Sequence, residues 1–339
     1  MTEKSRCALQ PWAETGAGDG PAVRRGGIQV VLVHHPSHAR TYADFVQKAF
    51  PDLDVRTSMT AEEAERRVPE ADAILAWRFP AHLFAKAHRL RWVQSMGAGV
   101  EDLLAADGLA QGVRLTRVVD QFGPPIAEYV FAELLARVRH LEHARALQAR
   151  HEWQPYPVET LAGGVLGVAG LGSIGQEIVR KGRAFDMGVV GLSRTGKRAG
   201  TVDRHFGPGE WIRFAEASDV MVLTLPLTTA TQGVVNERVL SALPVGAILV
   251  NVGRGALVRE TDLVAALRAG RLAGAILDVF EKEPLSPKSP LWDLPGVTVT
   301  PHVSGPSRAA DVCALFVENF RRLERGEELI GEVDRVGGY

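Results

Sequence analysis

Cysteine is scarce in this chain, and so is any excess of charge of one sign. The two cysteines, Cys7 and Cys313, make neither a disulfide framework nor a metal-ligand spacing. No metal site is therefore expected, and a reducing compartment, the cytoplasm, is the expected location. The formal net charge of -1 gives no reason to expect the basic face that nucleic acid favours, so no nucleic-acid partner is expected.

Long apolar runs are also missing. Although 46% of the residues are hydrophobic, no stretch approaches the roughly 20 uninterrupted apolar residues of a transmembrane helix, so no membrane association is expected. Residues 1–27 are rich in Gly, Ala and Pro and lack the continuous apolar core of a secretory signal, which indicates a loose extension. The length of 339 residues exceeds the size at which one core usually stops growing, which leaves room for two domains.

Short β-rich runs alternate with helical patterns after this extension, as they do in βαβ folds. The runs from VLGVAG onward are continuously apolar, which is typical of parallel strands covered on both faces. In chain order they are IQVVLVH, ADAILAW, VLGVAG, VVGLS, DVMVLTL, AILVN, GAILDV and VTVT. Between the second and third runs, Pro124 and Pro125 open a segment rich in Ala, Leu and Glu that ends at Trp153, which predicts one long linking helix. After His302 the spacing predicts one helix over residues 309–325, packed back on the first domain.

A glycine-rich turn follows the third apolar run. Gly170, Gly172 and Gly175 have the G-x-G-x-x-G spacing, with Ser173 and Ile174 between them. In a dinucleotide site these glycines allow a tight turn, close approach of a pyrophosphate and close packing of the next helix, whose N-terminus faces the phosphates. The alternative is a strand-to-helix turn that binds nothing.

The end of the next strand discriminates between dinucleotides, because NAD sites usually place an acidic residue there. Here Ser193 stands in place of that carboxylate. Arg194, Lys197 and Arg198 follow it and provide cations suited to a 2′-phosphate. The pattern predicts a preference for NADPH, with NADH still possible. The alternative is a solvated basic loop.

Three ionisable residues of different type follow the glycine turn, namely Arg254 in NVGRG, Glu283 in EKEP and His302 in TPH. Arg254 lies between glycines that let the chain turn sharply, and its natural partner is a carboxylate. His302 follows an apolar strand, where ligands of α/β sheets bind and where a histidine can donate a proton near neutral pH. Each residue alone could equally be structural, and spacing alone does not choose Glu283 over Glu281 or Asp278.

The chain resembles the D-isomer-specific 2-hydroxyacid dehydrogenases, and among them most closely the glyoxylate/hydroxypyruvate reductases, over nearly everything after the extension. The resemblance implies two Rossmann-like, doubly wound parallel-sheet domains with the active site in the cleft between them. It implies a substrate-binding domain of residues 28–121 and 306–339, an NAD(P)-binding domain of residues 122–305, and a homodimer. The motifs that carry it are QSMGAGVEDLL, VAGLGSIGQEI, LPLTTATQGVVN, NVGRGALV, LDVFEKEPL and SPLWDLPGVTVTPHVSG, in this order.

The resemblance also implies roles for the three ionisable residues. His302 protonates the substrate carbonyl while hydride arrives from the nicotinamide. Glu283, chosen over its acidic neighbours, keeps that imidazole charged and oriented. Arg254 holds the 2-oxo acid and polarises its carbonyl, which stabilises a developing alkoxide.

Substrate contacts are expected from three further places. By the resemblance, the loop MGAGVE binds the substrate carboxylate through backbone N–H groups at Ala98 and Gly99, with an ordinary tight turn as the alternative. Arg78 follows the strand ADAILAW and either lines the cleft or lies on the surface. Trp292, in SPLW, either shapes the pocket or anchors its loop.

Two further residues are expected near the cofactor, and three positions depart from the family. By the resemblance, Asp278 lies near the nicotinamide carboxamide, with a capping or structural role as the alternative. The resemblance also implies that Thr228 lies along the cofactor-binding site. Glu101 and Asp102 stand where many relatives carry Asp followed by His, which changes the polarity expected of the pocket. Ser173 stands where Arg is frequent, so one cationic contact to the pyrophosphate is expected to be missing.

The expected function is NADPH-dependent reduction of small 2-oxo acids, glyoxylate or hydroxypyruvate, to 2-hydroxy acids, with His302 as general acid. One alternative is a bulkier 2-oxo acid, because the side chains that set specificity lie in loops. The other is a non-catalytic dinucleotide-sensing protein, since relatives include corepressors that use cofactor occupancy as a signal.

Overall fold

Two parallel sheets organise the computed structural model, which describes residues 27–335. The first sheet has the order β2-β1-β3-β4-β5. Its strands are β1 (Val30–His34), β2 (Asp54–Ser58), β3 (Ala73–Ala76), β4 (Trp92–Ser95) and β5 (Arg114–Thr116). The predicted N-terminal extension lies, apart from Gly27, outside the described residues.

The second sheet has the order β12-β11-β10-β9-β6-β7-β8, and both sheets are parallel throughout. The predicted fold class, α/β with two parallel sheets, is confirmed. The central strands are buried along their whole length, as their apolar runs require. The strands are β6 (Val165–Ala169), β7 (Gly188–Leu192), β8 (Arg204–Phe206), β9 (Val220–Leu223), β10 (Ala247–Asn251), β11 (Leu272–Leu277) and β12 (Val297–Val299).

Helices connect and cover these strands. Within residues 27–335, no helix has the length and apolar character needed to cross a membrane. The α-helices are α1 (Ala39–Ala49), α2 (Ala61–Arg67), α3 (Glu101–Leu104), α4 (Gly123–Val138), α5 (Leu141–Ala149), α6 (Ser173–Ala184), α7 (Trp211–Glu216), α8 (Glu237–Ala242), α9 (Glu260–Arg268) and α10 (Ala309–Arg325).

The segment between the sheets is not the single long helix that the sequence predicts. Two proline residues do lie in the first turn of α4, where a missing N–H costs nothing. The helix then ends at Val138, and α5 begins at Leu141. His140 separates them with a left-handed backbone (φ 50°), which interrupts the helical hydrogen-bond ladder. The prediction was wrong because propensity alone does not reveal such a break.

The C-terminal helix α10 has the predicted bounds and packs on the first sheet unit, as expected. The Phe316 ring stacks on Trp92 with centroids 4.6 Å apart, and Phe320 lies 4.3 Å from Phe50. The chain then reaches β5, where Glu332 forms an antiparallel bridge with Thr116. The last described residues therefore pack on the first sheet, which the beginning of the chain forms.

The order of the second sheet reverses at β6, which lies between β9 and β7. In open α/β sheets, a ligand binds beyond the carboxyl ends of the strands at such a reversal. The glycine-rich turn begins directly after β6, at Gly170. The topology thus places this turn where a dinucleotide is expected.

Candidate active site

A cavity of about 470 Å³ lies between the two sheets and is lined by loops from both. Each loop follows the carboxyl end of a parallel strand, which is the edge where α/β proteins bind ligands. The predicted residues that line it are Arg78, Ala98, Gly99, Ile174, Arg254, Glu283 and His302. The sequence did not single out the apolar wall, which includes Trp77, Phe79, Phe122, Ile126 and Leu227.

His302 and Glu283 form a hydrogen-bonded pair in this cavity. The distance from His302 Nδ1 to Glu283 Oε2 is 2.9 Å. The other carboxylate oxygen, Oε1, accepts the backbone N–H of Phe280 at 3.3 Å, which fixes the carboxylate. With Nδ1 bound to Glu283, the Nε2 atom of His302 is the ring nitrogen left for a ligand.

Asp278 holds the loop that carries His302. Its side chain is 1% exposed and accepts the N–H groups of Val303 and Ser304, each at 2.9 Å, and the hydroxyl of Thr300 at 2.6 Å. These bonds hold His302 in a left-handed backbone conformation (φ 56°), which for a residue with a side chain persists only where its surroundings determine it. The predicted contact of Asp278 with the cofactor stays a prediction.

Tyr129 extends this network from helix α4. Thr300 gives its one hydroxyl proton to Asp278, so the Tyr129 hydroxyl, 2.7 Å away, donates to Thr300. Burial raises the pKa of Tyr129 to about 12, so the tyrosine keeps this proton at neutral pH. The His302 loop is thereby tied to the helix between the sheets.

Arg254 reaches the cavity from the turn after β10. A Cβ on Gly255 would overlap the backbone of Phe280 and Glu281, so only glycine lets this turn pack against the loop that carries Glu283. The Arg254 side chain is 28% exposed, and its Nη1 donates to the carbonyl of Gly253 at 2.7 Å. Gly255 thus brings the Arg254 turn against the loop that carries Glu283.

Glu101 is the ion-pair partner of Arg254. The Arg254 Nε lies 2.9 Å from Glu101 Oε1, and Nη2 lies 3.5 Å from Oε2. The sequence marked Glu101 only as a departure from the family pattern. Its position at the start of α3, directly after a predicted anion-binding loop, was the one available signal.

The loop after β4 has the features of an anion site. Ser95 Oγ accepts the N–H of Gly97 at 3.1 Å and so holds the turn. A Cβ on Gly99 would overlap the guanidinium of Arg254, so the backbone lies directly against it. Within the described part of the chain, the N–H groups of Ala98 and Gly99 donate to no protein acceptor. Two backbone donors and a cation therefore lie close together on the cavity wall.

The glycine-rich turn fits a dinucleotide. Gly170 adopts φ 103°, and a Cβ on Gly175 would overlap the Gly170 carbonyl oxygen, so both positions require glycine. A Cβ on Gly172 would meet no atom within 4 Å, which leaves open space at the N-terminus of α6. This space, with the first N–H groups of α6 beginning at Ser173, suits a pyrophosphate.

The predicted 2′-phosphate corner lies at the end of β7. Ser193 Oγ is 2.8 Å from His205 Nε2, a neighbour on β8 that the sequence did not indicate. The Nη1 of Arg198 donates to the Leu171 carbonyl at 3.0 Å, which joins this corner to the glycine-rich turn. Arg194 and Lys197 are exposed on the same turn.

The remaining predicted residues lie at different distances from the cavity. Arg78 lines it, with Nη2 3.7 Å from Glu283 Oε2 and a left-handed backbone (φ 52°). Thr228 is outside the lining residues, next to Leu227, and bonds to Thr231 within its own turn. Trp292 is also outside them; it is half exposed, and its indole donates to the Ser286 carbonyl, so it anchors its loop.

Comparison with known proteins places the chain in a family. Residues 131–304 match the family described as D-isomer specific 2-hydroxyacid dehydrogenase, NAD binding domain. The chain is 38% identical to a solved D-isomer specific 2-hydroxyacid dehydrogenase family protein from Aeromonas salmonicida subsp. salmonicida A449, with 91% of this chain and 99% of that one covered and a TM-score of 0.84. The chain belongs to the D-isomer specific 2-hydroxyacid dehydrogenase family. The resemblance inferred from its motifs is confirmed.

Two other relatives have solved structures with a bound dinucleotide. An NADPH-dependent glyoxylate/hydroxypyruvate reductase from Sinorhizobium meliloti, in complex with NADP and sulfate, is 34% identical, with coverages of 92% and 100% and a TM-score of 0.82. A D-isomer specific 2-hydroxyacid dehydrogenase from Xanthobacter autotrophicus Py2, in complex with NADPH and MES, is also 34% identical, with coverages of 91% and 99% and a TM-score of 0.80.

Family membership establishes the general reaction. The protein is an NAD(P)-dependent 2-hydroxyacid dehydrogenase, and its NAD-binding domain spans the glycine-rich turn and the loops that carry Arg254, Glu283 and His302. The predicted enzyme class is confirmed.

Proposed function

We propose that this dehydrogenase reduces small 2-oxo acids, glyoxylate or hydroxypyruvate foremost, with NADPH, and gives the D isomer where the product is chiral. The cavity carries the proposal, because one space of about 470 Å³ is lined by Arg254, the His302–Glu283 pair and the backbone of Ala98 and Gly99, whose N–H groups donate to no protein acceptor within residues 27–335. These are the groups that bind a carboxylate and protonate a neighbouring carbonyl oxygen.

Arg254 and the loop after β4 bind the substrate in this proposal. The N–H groups of Ala98 and Gly99 take the carboxylate, as backbone donors in such turns suit anions. The free N–H groups of Arg254 face the carboxylate and the carbonyl oxygen, where positive charge stabilises a developing alkoxide. Arg254 and the loop after β4 thus orient the substrate, and Arg254 also polarises its carbonyl.

His302 supplies the proton from Nε2. Glu283 binds Nδ1 and so fixes the direction of the ring. The network from Asp278 fixes the backbone of the same residue. A general acid held in this way transfers its proton to the carbonyl oxygen without first losing orientational freedom.

The glycine-rich turn and the basic turn after β7 hold the cofactor. Open space at Gly172 and the N-terminus of α6 suit its pyrophosphate, and Arg194 and Lys197 suit a 2′-phosphate beside Ser193. A nicotinamide dinucleotide bound there supplies the hydride. The relatives from Sinorhizobium meliloti and Xanthobacter autotrophicus, whose structures hold NADP and NADPH, support the choice of dinucleotide.

A steady-state panel tests the proposal. Purified protein is assayed with glyoxylate, hydroxypyruvate, pyruvate and bulkier 2-oxo acids, each with NADPH and with NADH, and loss of cofactor absorbance is followed. We expect the highest kcat/KM for glyoxylate or hydroxypyruvate with NADPH. A higher value with NADH would contradict the proposed cofactor, and a higher value with a bulkier acid would contradict the proposed substrate. Dinucleotide binding without oxidation across the panel would favour the sensing protein.

A further inference from the structure

Glu101 lies inside the substrate cavity, beside the loop that is proposed to bind the substrate carboxylate. Its carboxylate lies against Gly99, since a Cβ added to Gly99 would lie only 2.7 Å from Glu101 Oε2. It also pairs with Arg254 through Nε, and the two side chains are 32% and 28% exposed. A negative charge therefore stands next to the place where substrate negative charge is expected.

A second guanidinium lies behind this pair. Arg117 follows β5, is half-buried, and directs Nη1 toward the Ala98 carbonyl at 3.4 Å. Burial lowers the pKa of Arg117, the negative charge of Glu101 raises it, and the positive charge of Arg254 lowers it. Glu101 and the two arginines are therefore close enough for their charges to interact. Glu101 thus offsets the repulsion between the two arginines and limits the positive charge that the cavity offers to a ligand.

The occupied edges of Arg254 limit what it can bind. Its Nε and Nη2 donate to Glu101, at 2.9 and 3.5 Å, and its Nη1 donates to the Gly253 carbonyl at 2.7 Å. A guanidinium has five N–H donors, so two remain, which suffice for one carboxylate oxygen and the adjacent carbonyl oxygen. A second carboxylate on the same substrate would find the Nε edge taken by a like charge.

Other charged residues of the cavity do not reverse this effect. Among the described residues that line it, Asp102 and Glu281 add further negative charge. Arg78 is at the rim, 63% exposed, and its nearest acidic group is Glu283 at 3.7 Å. Among the described residues, the two lining arginines are Arg254, which already pairs with Glu101, and Arg78, which pairs with Glu283.

We propose that Glu101 is a specificity-determining residue that makes the cleft select 2-oxo acids with one carboxylate and reject dicarboxylates. This inference rests on the function proposed above. Glu101 acts by occupying the Nε edge of Arg254 and by repelling a second carboxylate at ion-pair distance.

Glu101→Gln tests the charge alone, because glutamine keeps the size of the side chain and an oxygen that accepts from Arg254. The readout is the ratio of kcat/KM for oxaloacetate, a dicarboxylate, to kcat/KM for hydroxypyruvate. We expect this ratio to rise about tenfold in the variant, as for the loss of one partly screened like-charge contact. The rise should diminish at high ionic strength.

Two variants serve as controls. Glu101→Asp keeps the charge and should keep the ratio low. Asp107→Asn removes an exposed charge of the same segment outside the cavity and should leave the ratio unchanged. An unchanged ratio in Glu101→Gln, with turnover of both acids reduced alike, would mean that Glu101 only holds Arg254 and would overturn the inference. An equal rise in Asp107→Asn would overturn it too.

A binding experiment distinguishes the failure of this inference from the failure of the proposed function. If the wild-type protein reduces no 2-oxo acid, the proposed function fails, and Glu101 is then tested by calorimetric titration with oxamate and tartronate. These anions carry one and two carboxylates and require no turnover. A selective gain for tartronate in Glu101→Gln supports the inference, whereas equal changes for both anions contradict it.

Discussion

At the residue scale, His302 shows how little a single side chain reveals on its own. A histidine after an apolar strand is more often structural than catalytic. Its bond to Glu283 and its left-handed backbone, held by buried Asp278, distinguish it from such a histidine. Residues kept in costly conformations cluster at functional sites. The residue type was readable from the sequence, and its surroundings were not.

The proton-donor role of His302 predicts a loss of turnover on truncation. His302→Ala should lower kcat by about 10²–10⁴-fold, which is the usual contribution of general acid catalysis. KM for the 2-oxo acid should change little, since Arg254 and the loop after β4 remain. Steady-state kinetics measure both, and NADPH titration by fluorescence verifies that the cofactor still binds. Turnover close to the wild-type value would exclude His302 as the acid.

At the element scale, the loops after parallel strands decide the chemistry. The sequence located the apolar strands that precede these loops better than it located the polar strands at the sheet edges. The interior runs after residue 164 were predicted because they are continuously apolar. The edge strands β2 (DVRTS) and β8 (RHF) were not, because they carry polar side chains, whereas β12 (VTV), also an edge strand, was predicted from its valines. Strands are visible in a sequence when they form apolar runs, as strands buried on both faces do.

The loop from Thr300 to Ser304 predicts a specific effect of Asp278→Asn. The amide presents one accepting oxygen where two oxygens now accept three hydrogen bonds, so a buried donor loses its partner. We expect the unfolding free energy to fall by about 1.5–3 kcal/mol, as for a lost bond to a charged group. We also expect kcat to fall while the affinity for NADPH is retained.

Thermal unfolding, steady-state kinetics and NADPH titration measure these effects, with Asp293→Asn as a control on an exposed residue of the preceding loop. Weaker NADPH binding with unchanged kcat would instead favour the direct cofactor contact that the family resemblance implies for Asp278. Loop anchoring and cofactor contact are thus separated by which constant changes.

At the scale of the whole molecule, the first sheet unit is closed by the end of the chain. Phe316 on α10 stacks on Trp92 of β4, and both are fully buried. Arg114 on β5 binds both carboxylate oxygens of Glu332, at 2.7 and 2.6 Å. We therefore retain the proposed division into a substrate-binding unit made of two segments and an NAD(P)-binding unit inserted between them.

This division predicts that Phe316→Ala destabilises one unit selectively. Removing a buried phenylalanine costs about 3–5 kcal/mol through lost burial and the cavity left behind. In urea unfolding followed by circular dichroism, we expect two transitions, one for each unit, of which NADPH stabilises only the one of the NAD(P)-binding unit. Phe316→Ala should shift the other, NADPH-insensitive transition to a lower urea concentration. Phe214→Ala, in the fully buried core of the second sheet, should instead shift the transition that NADPH stabilises. Identical shifts of one single transition in both variants would contradict the division.

The sequence by itself determined the parallel α/β class, the glycine-rich turn and the identity of the ionisable residues, because local spacing and apolar runs express those constraints directly. Only the tertiary structure decided which of these residues meet. Glu101 and Arg254 are 153 positions apart and pair at 2.9 Å because their strands end at facing edges of two different sheets. Strand order and crossovers set such contacts, and no local pattern in the chain records them.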